Sequence, residues 1–239
     1  MLKKFRFLVI SVLLIMLISF FPGNIIAQNS GIKNNDRSFG FSSVGLEIGW
    51  YNPGLDYWKN DSEFKDADFA GAIHLKGSLD MRIAGDLHGQ IGVGYWQETA
   101  EEDLQGFGNT RLILTGLPVS LDVAYVLKPL QFSIFTPMIG IGGEALFIQH
   151  QMNFEEKENP DSQWGSTILG NALVGFEARL SDQFAVDLDF QYKFGSYNQQ
   201  FNIEIIDPEN PDDPPLIETE TESISLSGPK FGVTFKYLF

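Results

Sequence analysis

Three histidines, two prolines placed within strand-like segments and no cysteine set the chemical repertoire of this 239-residue chain. Without cysteine there is no thiol nucleophile, no thiolate metal site and no disulfide. His74 and His88 fall on the polar side of neighbouring segments, where a metal ion or acid–base work would suit them. Hydrogen bonding to a neighbour such as Asp80 is the plainer expectation. A turn centred near residue 84 would set His88 opposite Asp80, with His74 further from the turn. His150 opens a long polar stretch and is expected in solvent. No serine–histidine pair stands at strand spacing, and neither a glycine-rich phosphate loop nor a histidine/glutamate metalloprotease motif occurs. The residues therefore read as non-enzymatic, with no cofactor and no metal site.

Pro118 and Pro137 carry a different kind of chemistry. Proline donates no ladder hydrogen bond, and a closed sheet has no edge strand to place it on. If a turn near Lys128–Gln131 joins the fourth and fifth strands, both prolines weaken one seam. They would act there as bulges that set curvature, or as a lateral gap through which an apolar ligand leaves an interior. Trp96 and Leu146 lie near that path.

The elements that must hold these residues are strands, because apolar residues recur with period two. Phe184, Val186, Leu188, Phe190, Tyr192 and Phe194 alternate with Ala185, Asp187, Asp189, Gln191, Lys193 and Gly195. Phe231, Val233, Phe235, Tyr237 and Phe239 alternate with smaller or polar residues in the same way. Six further segments fit, around residues 44–50, 73–81, 87–95, 117–125, 139–147 and 168–180, for a total of eight. Short connections near Arg82–Asp86, Lys128–Gln131 and Ser181–Gln183 alternate with long ones at 52–67, 98–107, 151–164 and 197–225. Short turns on one rim and long loops on the other mark a membrane barrel.

Charge divides along the same lines. The polar faces hold Glu47, Asp80, Asp122, Glu144, Glu177, Asp187 and Asp189 against Lys76, Arg82, Arg179, Lys193, Lys230 and Lys236. That near balance suits a narrow lumen, where an unpaired charge is costly. The four long loops hold 20 acids and three bases, a net −17 against −15 for the whole chain, so the rest of the chain is close to neutral. Such acidity excludes a nucleic-acid partner, which needs a basic footprint. It suits solvated surface loops, cation bridging to anionic headgroups, or repulsion of anionic ligands. Within the fourth loop, 200–205 and 216–222 flank DPENPDDPP, which predicts a protruding hairpin continuing strands seven and eight.

Lys3, Lys4 and Arg6 precede an apolar run from Phe7 to Phe21, then Pro22-Gly23 and Ala27. This reads as a secretory signal peptide over residues 1–27, followed by a short segment 28–39 and a barrel domain 40–239. The fold class is all-β: a closed antiparallel transmembrane β-barrel of eight strands.

The runs GLPVSLDVAYVL, FTPMIGIGGEALF, ALVGFEARLSDQFAVDLDFQYKFG and KFGVTFKYLF, taken together, resemble the OmpW and OmpA/OmpX-like eight-stranded outer-membrane barrels. The resemblance spans roughly residues 40–239 and rests on strand-and-turn patterns. Its most specific feature is the terminal Phe239 with Tyr237 and Phe235 behind it, which resembles the signal that hands such proteins to the barrel-assembly machinery. The resemblance implies a bacterial outer-membrane location among outer-membrane lipids. For the OmpW-like branch it implies binding or passage of a small hydrophobic ligand. For the OmpX-like branch it implies adhesion or defence through protruding strands. The alternative reading of the residues is a surface-adhesion, interaction or structural envelope protein acting through the acidic loops, with the hairpin at 200–222 and Tyr57, Trp58 and Phe64 of the first loop as contacts. Lipid-modifying barrels need a serine/histidine/acid set at the lipid-facing rim, and no histidine falls on those positions.

Overall fold

The computed structural model describes residues 39–104, 108–154, 161–205 and 216–239. The expected signal peptide 1–27, nearly all of the segment 28–39 and the DPENPDDPP turn lie outside these described residues.

Among the described residues ten strands follow in order: β1 (Gly40–Tyr51), β2 (Ala72–Ala84), β3 (Leu87–Leu104), β4 (Gly108–Val126), β5 (Phe135–Phe154), β6 (Asp161–Arg179), β7 (Phe184–Phe194), β8 (Ser196–Ile205), β9 (Leu216–Ser225) and β10 (Gly228–Leu238). Eight of them close an antiparallel barrel in the order β1-β10-β7-β6-β5-β4-β3-β2, and β8 pairs only with β9. The ring is sealed where Ser43–Tyr51 pairs with Leu238–Lys230.

Period two decides which side of each ribbon faces out. Leu46, Ile48, Val93, Leu121, Leu188, Phe231 and Phe235 are exposed on the outer wall, with Ile141 and Ile168 at 71% and 81%. The residues next to them along the chain, Glu47, Asp122, Asp187, Asp189 and Lys236, are buried inside. An apolar belt of this extent is unstable in water and stable in hydrocarbon, so the alternation places lipid outside and polar groups within.

The wall is uneven in height. Strands β3 to β6 run 18 to 20 residues, whereas β1, β2, β7 and β10 run 11 to 13. The stretches 98–104 and 151–154, expected as loop, are therefore strand, and β6 begins at Asp161 within the expected third loop. Above the belt both faces of a ribbon can be polar, so alternation fades while backbone pairing continues, as at Glu101↔Arg111 and Gln151↔Ser162.

The hairpin also differs from a simple extension. Gly195, at φ +142°, breaks the chain between β7 and β8. The new two-stranded sheet starts at Ser196↔Ser225 and leans on β6, where Thr167 Oγ1 donates to the Ser196 carbonyl at 2.6 Å.

Candidate functional site: a divided lumen

The lower half of the barrel interior is ionic. Glu47 on β1 receives Lys76 Nζ at 3.0 Å, Lys230 Nζ at 2.5 Å and His74 Nδ1 at 3.3 Å. Lys193 on β7 reaches both carboxylate oxygens of Glu144, at 2.8 and 2.6 Å. Nearest the short turns, Lys236 bridges Asp80 at 2.9 Å and Asp187 at 2.5 Å. These side chains tie neighbouring strands, or strands one apart in the ring, to one another. Arg82 and Arg179, expected in the same network, are exposed, and Glu177 is one-third exposed. They lie so close to the short-turn rim that water reaches them, which is the correction to a face assignment made from parity alone.

The upper half is predominantly apolar, with Glu98, Thr110 and His150 as its buried polar residues on β3 to β5. Trp96, Leu112, Leu114, Leu146, Ile148 and Leu169 face inward and are shut from solvent. Gly116 makes room for this layer, since a Cβ there would collide with the Trp96 indole. Tyr51 meets Trp96 edge to face at 5.6 Å between centroids. The segment between β1 and β2 folds down over the layer. Its turn Tyr57–Asp61 carries Trp58 into a cage of Tyr57, Phe64, His150 and Phe201, with centroids 5.1 to 6.0 Å away. Trp58 Nε1 donates to the Tyr197 hydroxyl at 3.5 Å, and burial pushes the Tyr197 phenol up to about 12, against that hydrogen bond. Lys59 donates to the Pro53 carbonyl at 3.0 Å, and its ammonium pKa is pulled below the ordinary lysine value by burial, opposed by the Glu98 carboxylate. The segment hangs from the base of the hairpin: Leu55 N–H donates to the Ser225 carbonyl at 2.7 Å, and Ser225 N–H donates to Asp56 Oδ1 at 2.6 Å.

Several expectations change here. Trp58 and Phe64 are 1% and 2% exposed, so they plug the barrel rather than present a surface to a partner. His150 is buried against Trp58 instead of solvated. His74 is held by Glu47 across the β1–β2 ladder, not by Asp80, and the β2–β3 register sets Arg82 rather than Asp80 opposite His88. The two prolines do not share a seam. Every pair from Thr110↔Phe154 to Val126↔Met138 is present between β4 and β5. The β3–β4 ladder instead skips Gly94/Pro118 and Tyr95/Leu117, because Pro118 has no N–H for the Gly94 carbonyl. At Pro137, near the opposite end of β5 from Leu146, the Leu127 carbonyl takes its hydrogen bond from Leu130 N–H at 2.9 Å. Trp96, Pro118 and Leu146 thus occupy neighbouring rungs, and Pro137 stands apart from them.

Phe235, Tyr237 and Phe239 lie on the outer wall, with Phe239 N–H closing onto the Ser42 carbonyl at 3.1 Å. The plug was missed in the sequence because its apolar residues are spaced irregularly in an acidic segment, and only the cluster Leu55, Tyr57, Trp58 and Phe64 signals it.

No protein-family model and no curated protein sequence matches the chain. Among solved structures, the outer membrane protein OprG from Pseudomonas aeruginosa superposes with a TM-score of 0.52 at 13% identity, over 87% of this chain and 99% of that one. A major outer membrane protein from Thermus thermophilus gives 0.49 at 14% identity over 83% and 99%, and Neisserial surface protein A gives 0.48 at 10% over 84% and 99%. The chain is an eight-stranded transmembrane β-barrel of the outer-membrane type, similar in fold to OprG.

Proposed function

We propose that this barrel is exported to a bacterial outer membrane, with its short turns on the periplasmic side, and that it binds or passes small hydrophobic molecules through its upper compartment. The observation that carries this reading is the division of the lumen, apolar above and ionic below. An apolar molecule gains by entering the Trp96–Leu146 layer and loses by entering the lysine–carboxylate layer. Its way out is sideways, where the β3–β4 ladder lacks two pairs beside Pro118. The Trp58 segment must lift for entry. All three histidines face inward and none stands at the lipid-facing rim, so the reading is a non-catalytic one. The terminal Phe239 serves delivery to the assembly machinery.

Uptake of a hydrophobic solute into vesicles carrying the barrel tests this. Pro118→Thr restores an N–H to the open rungs and is expected to cut uptake several-fold, whereas Pro137→Thr leaves it unchanged. Equal uptake in all three proteins removes the sideways route.

A second reading rests on the height of β3 to β6, since 9–11 residues suffice to cross a bilayer. The raised wall and hairpin would then contact an external surface, and trimming them would abolish adhesion while sparing uptake.

A further inference from the structure

Between the ionic layer and the short turns the lumen keeps a cavity of about 60 Å³. Its lining includes Glu47, Asp80, Asp122, Glu177, Asp187 and Asp189, with Lys76 and Lys236 among them. Lys230, buried behind, reaches Glu47 and Asp189. Six carboxylates therefore meet three ammonium groups, and His88 is the remaining titratable residue of the lining.

The deficit is not spread evenly. Asp80 accepts from Ser43 at 2.6 Å and Gln90 at 2.8 Å besides its lysine. Asp122 accepts from Asn171 at 2.8 Å, and Asp189 from Gln191 at 3.0 Å. Glu47 has two ammonium groups. Asp187 has Lys236 on Oδ2, while its Oδ1 is buried with no hydrogen-bond partner. Asp187 is 4% exposed, so bulk water does not solvate that oxygen. An unsatisfied carboxylate oxygen in an enclosed site carrying surplus negative charge demands a positive ligand.

We propose that this cavity binds one small monovalent cation, held at Asp187 Oδ1 and kept partly hydrated. One water needs roughly 15 Å³ of such space, so the cavity admits an ion with about three waters. Among the described residues no three acidic or histidine side chains converge closely enough to ligate a metal ion directly. That spacing disfavours a divalent ion, which would draw several carboxylates into its own shell. Entry is from the short-turn side, where the lining residues Val126, Thr136 and Met138 lie.

The test is the thermal unfolding midpoint of the full barrel in zwitterionic micelles. Sodium or potassium chloride is exchanged for N-methylglucamine chloride at fixed ionic strength and pH. The midpoint is expected to rise by about 3–5 °C for each tenfold increase of the small cation above half-saturation. Asp187→Asn should erase that rise. The proposal is overturned if the large cation serves equally well, if Asp187→Asn keeps the full response, or if the midpoint follows pH but not cation identity. Should Asp187→Asn fail to assemble, Glu177→Gln at the cavity mouth is expected to require several-fold more cation for the same midpoint. An unchanged requirement there also overturns the proposal.

Discussion

Lys193 shows what a single buried charge does in this lumen. It is 1% exposed, pinned between both oxygens of Glu144 and lying 4.7 Å over the Tyr51 ring. It therefore marks the boundary between the ionic and apolar layers. Lys193→Ala would strand Glu144 and is expected to lower stability by about 3–5 kcal/mol, whereas pairing Lys193→Met with Glu144→Gln should recover most of that loss. Urea unfolding of the micelle-bound barrel measures both. An equal loss in the single and double variants would mean that the pair contributes through packing alone. The presence of Lys193 and Glu144 on inward faces was legible from parity, since residues two apart share a side of a strand. Their mutual contact was not, because they lie on β7 and β5, with β6 between them in the ring.

At the scale of elements, Gly195 decides where the hairpin goes. A valine there would be strained at φ +142°, and its Cβ would lie 2.6 Å from Leu169 Cδ2. Gly195→Val is expected to cost about 1–3 kcal/mol locally and to free β8 and β9 from β6. Limited proteolysis should then cut within 196–225 while leaving β1 to β7 intact, and wild-type resistance would argue against this role for the glycine. The eight barrel strands could be read from the sequence because lipid imposes a strict period of two on every ribbon that crosses it. The upper parts of β3 to β6 could not, since outside the membrane that selection ends and the ladder alone continues. The seam assignment failed for a related reason. A proline's position in the chain does not tell which neighbour its missing N–H would have faced, and at Pro118 that neighbour is β3.

For the whole molecule, the two fillings of the lumen work in series. Trp58 and Phe64 close it above and the lysine–carboxylate pairs close it below, as expected of an eight-stranded barrel whose interior has room for side chains or one small ligand. Planar bilayers containing the protein should therefore show no steady ionic conductance. A stable open-channel current would mean that both layers part together. Closure of the barrel was legible from eight strands and alternating connection lengths, but the plug was not, because it obeys neither the strand nor the helix period.

The uneven rim has an electrostatic corollary. Glu101, Glu102 and Asp103 belong to β3, whose pairing with β4 runs unbroken from Trp96↔Gly116 to Leu104↔Gly108. With tilted strands, seven residues beyond Tyr95 stand about 15–20 Å higher. Ionic atmosphere at physiological strength fades over about 8 Å. If the headgroups lie level with Tyr95, these carboxylates stand about two screening lengths above them. Their field is felt instead by whatever approaches from the medium.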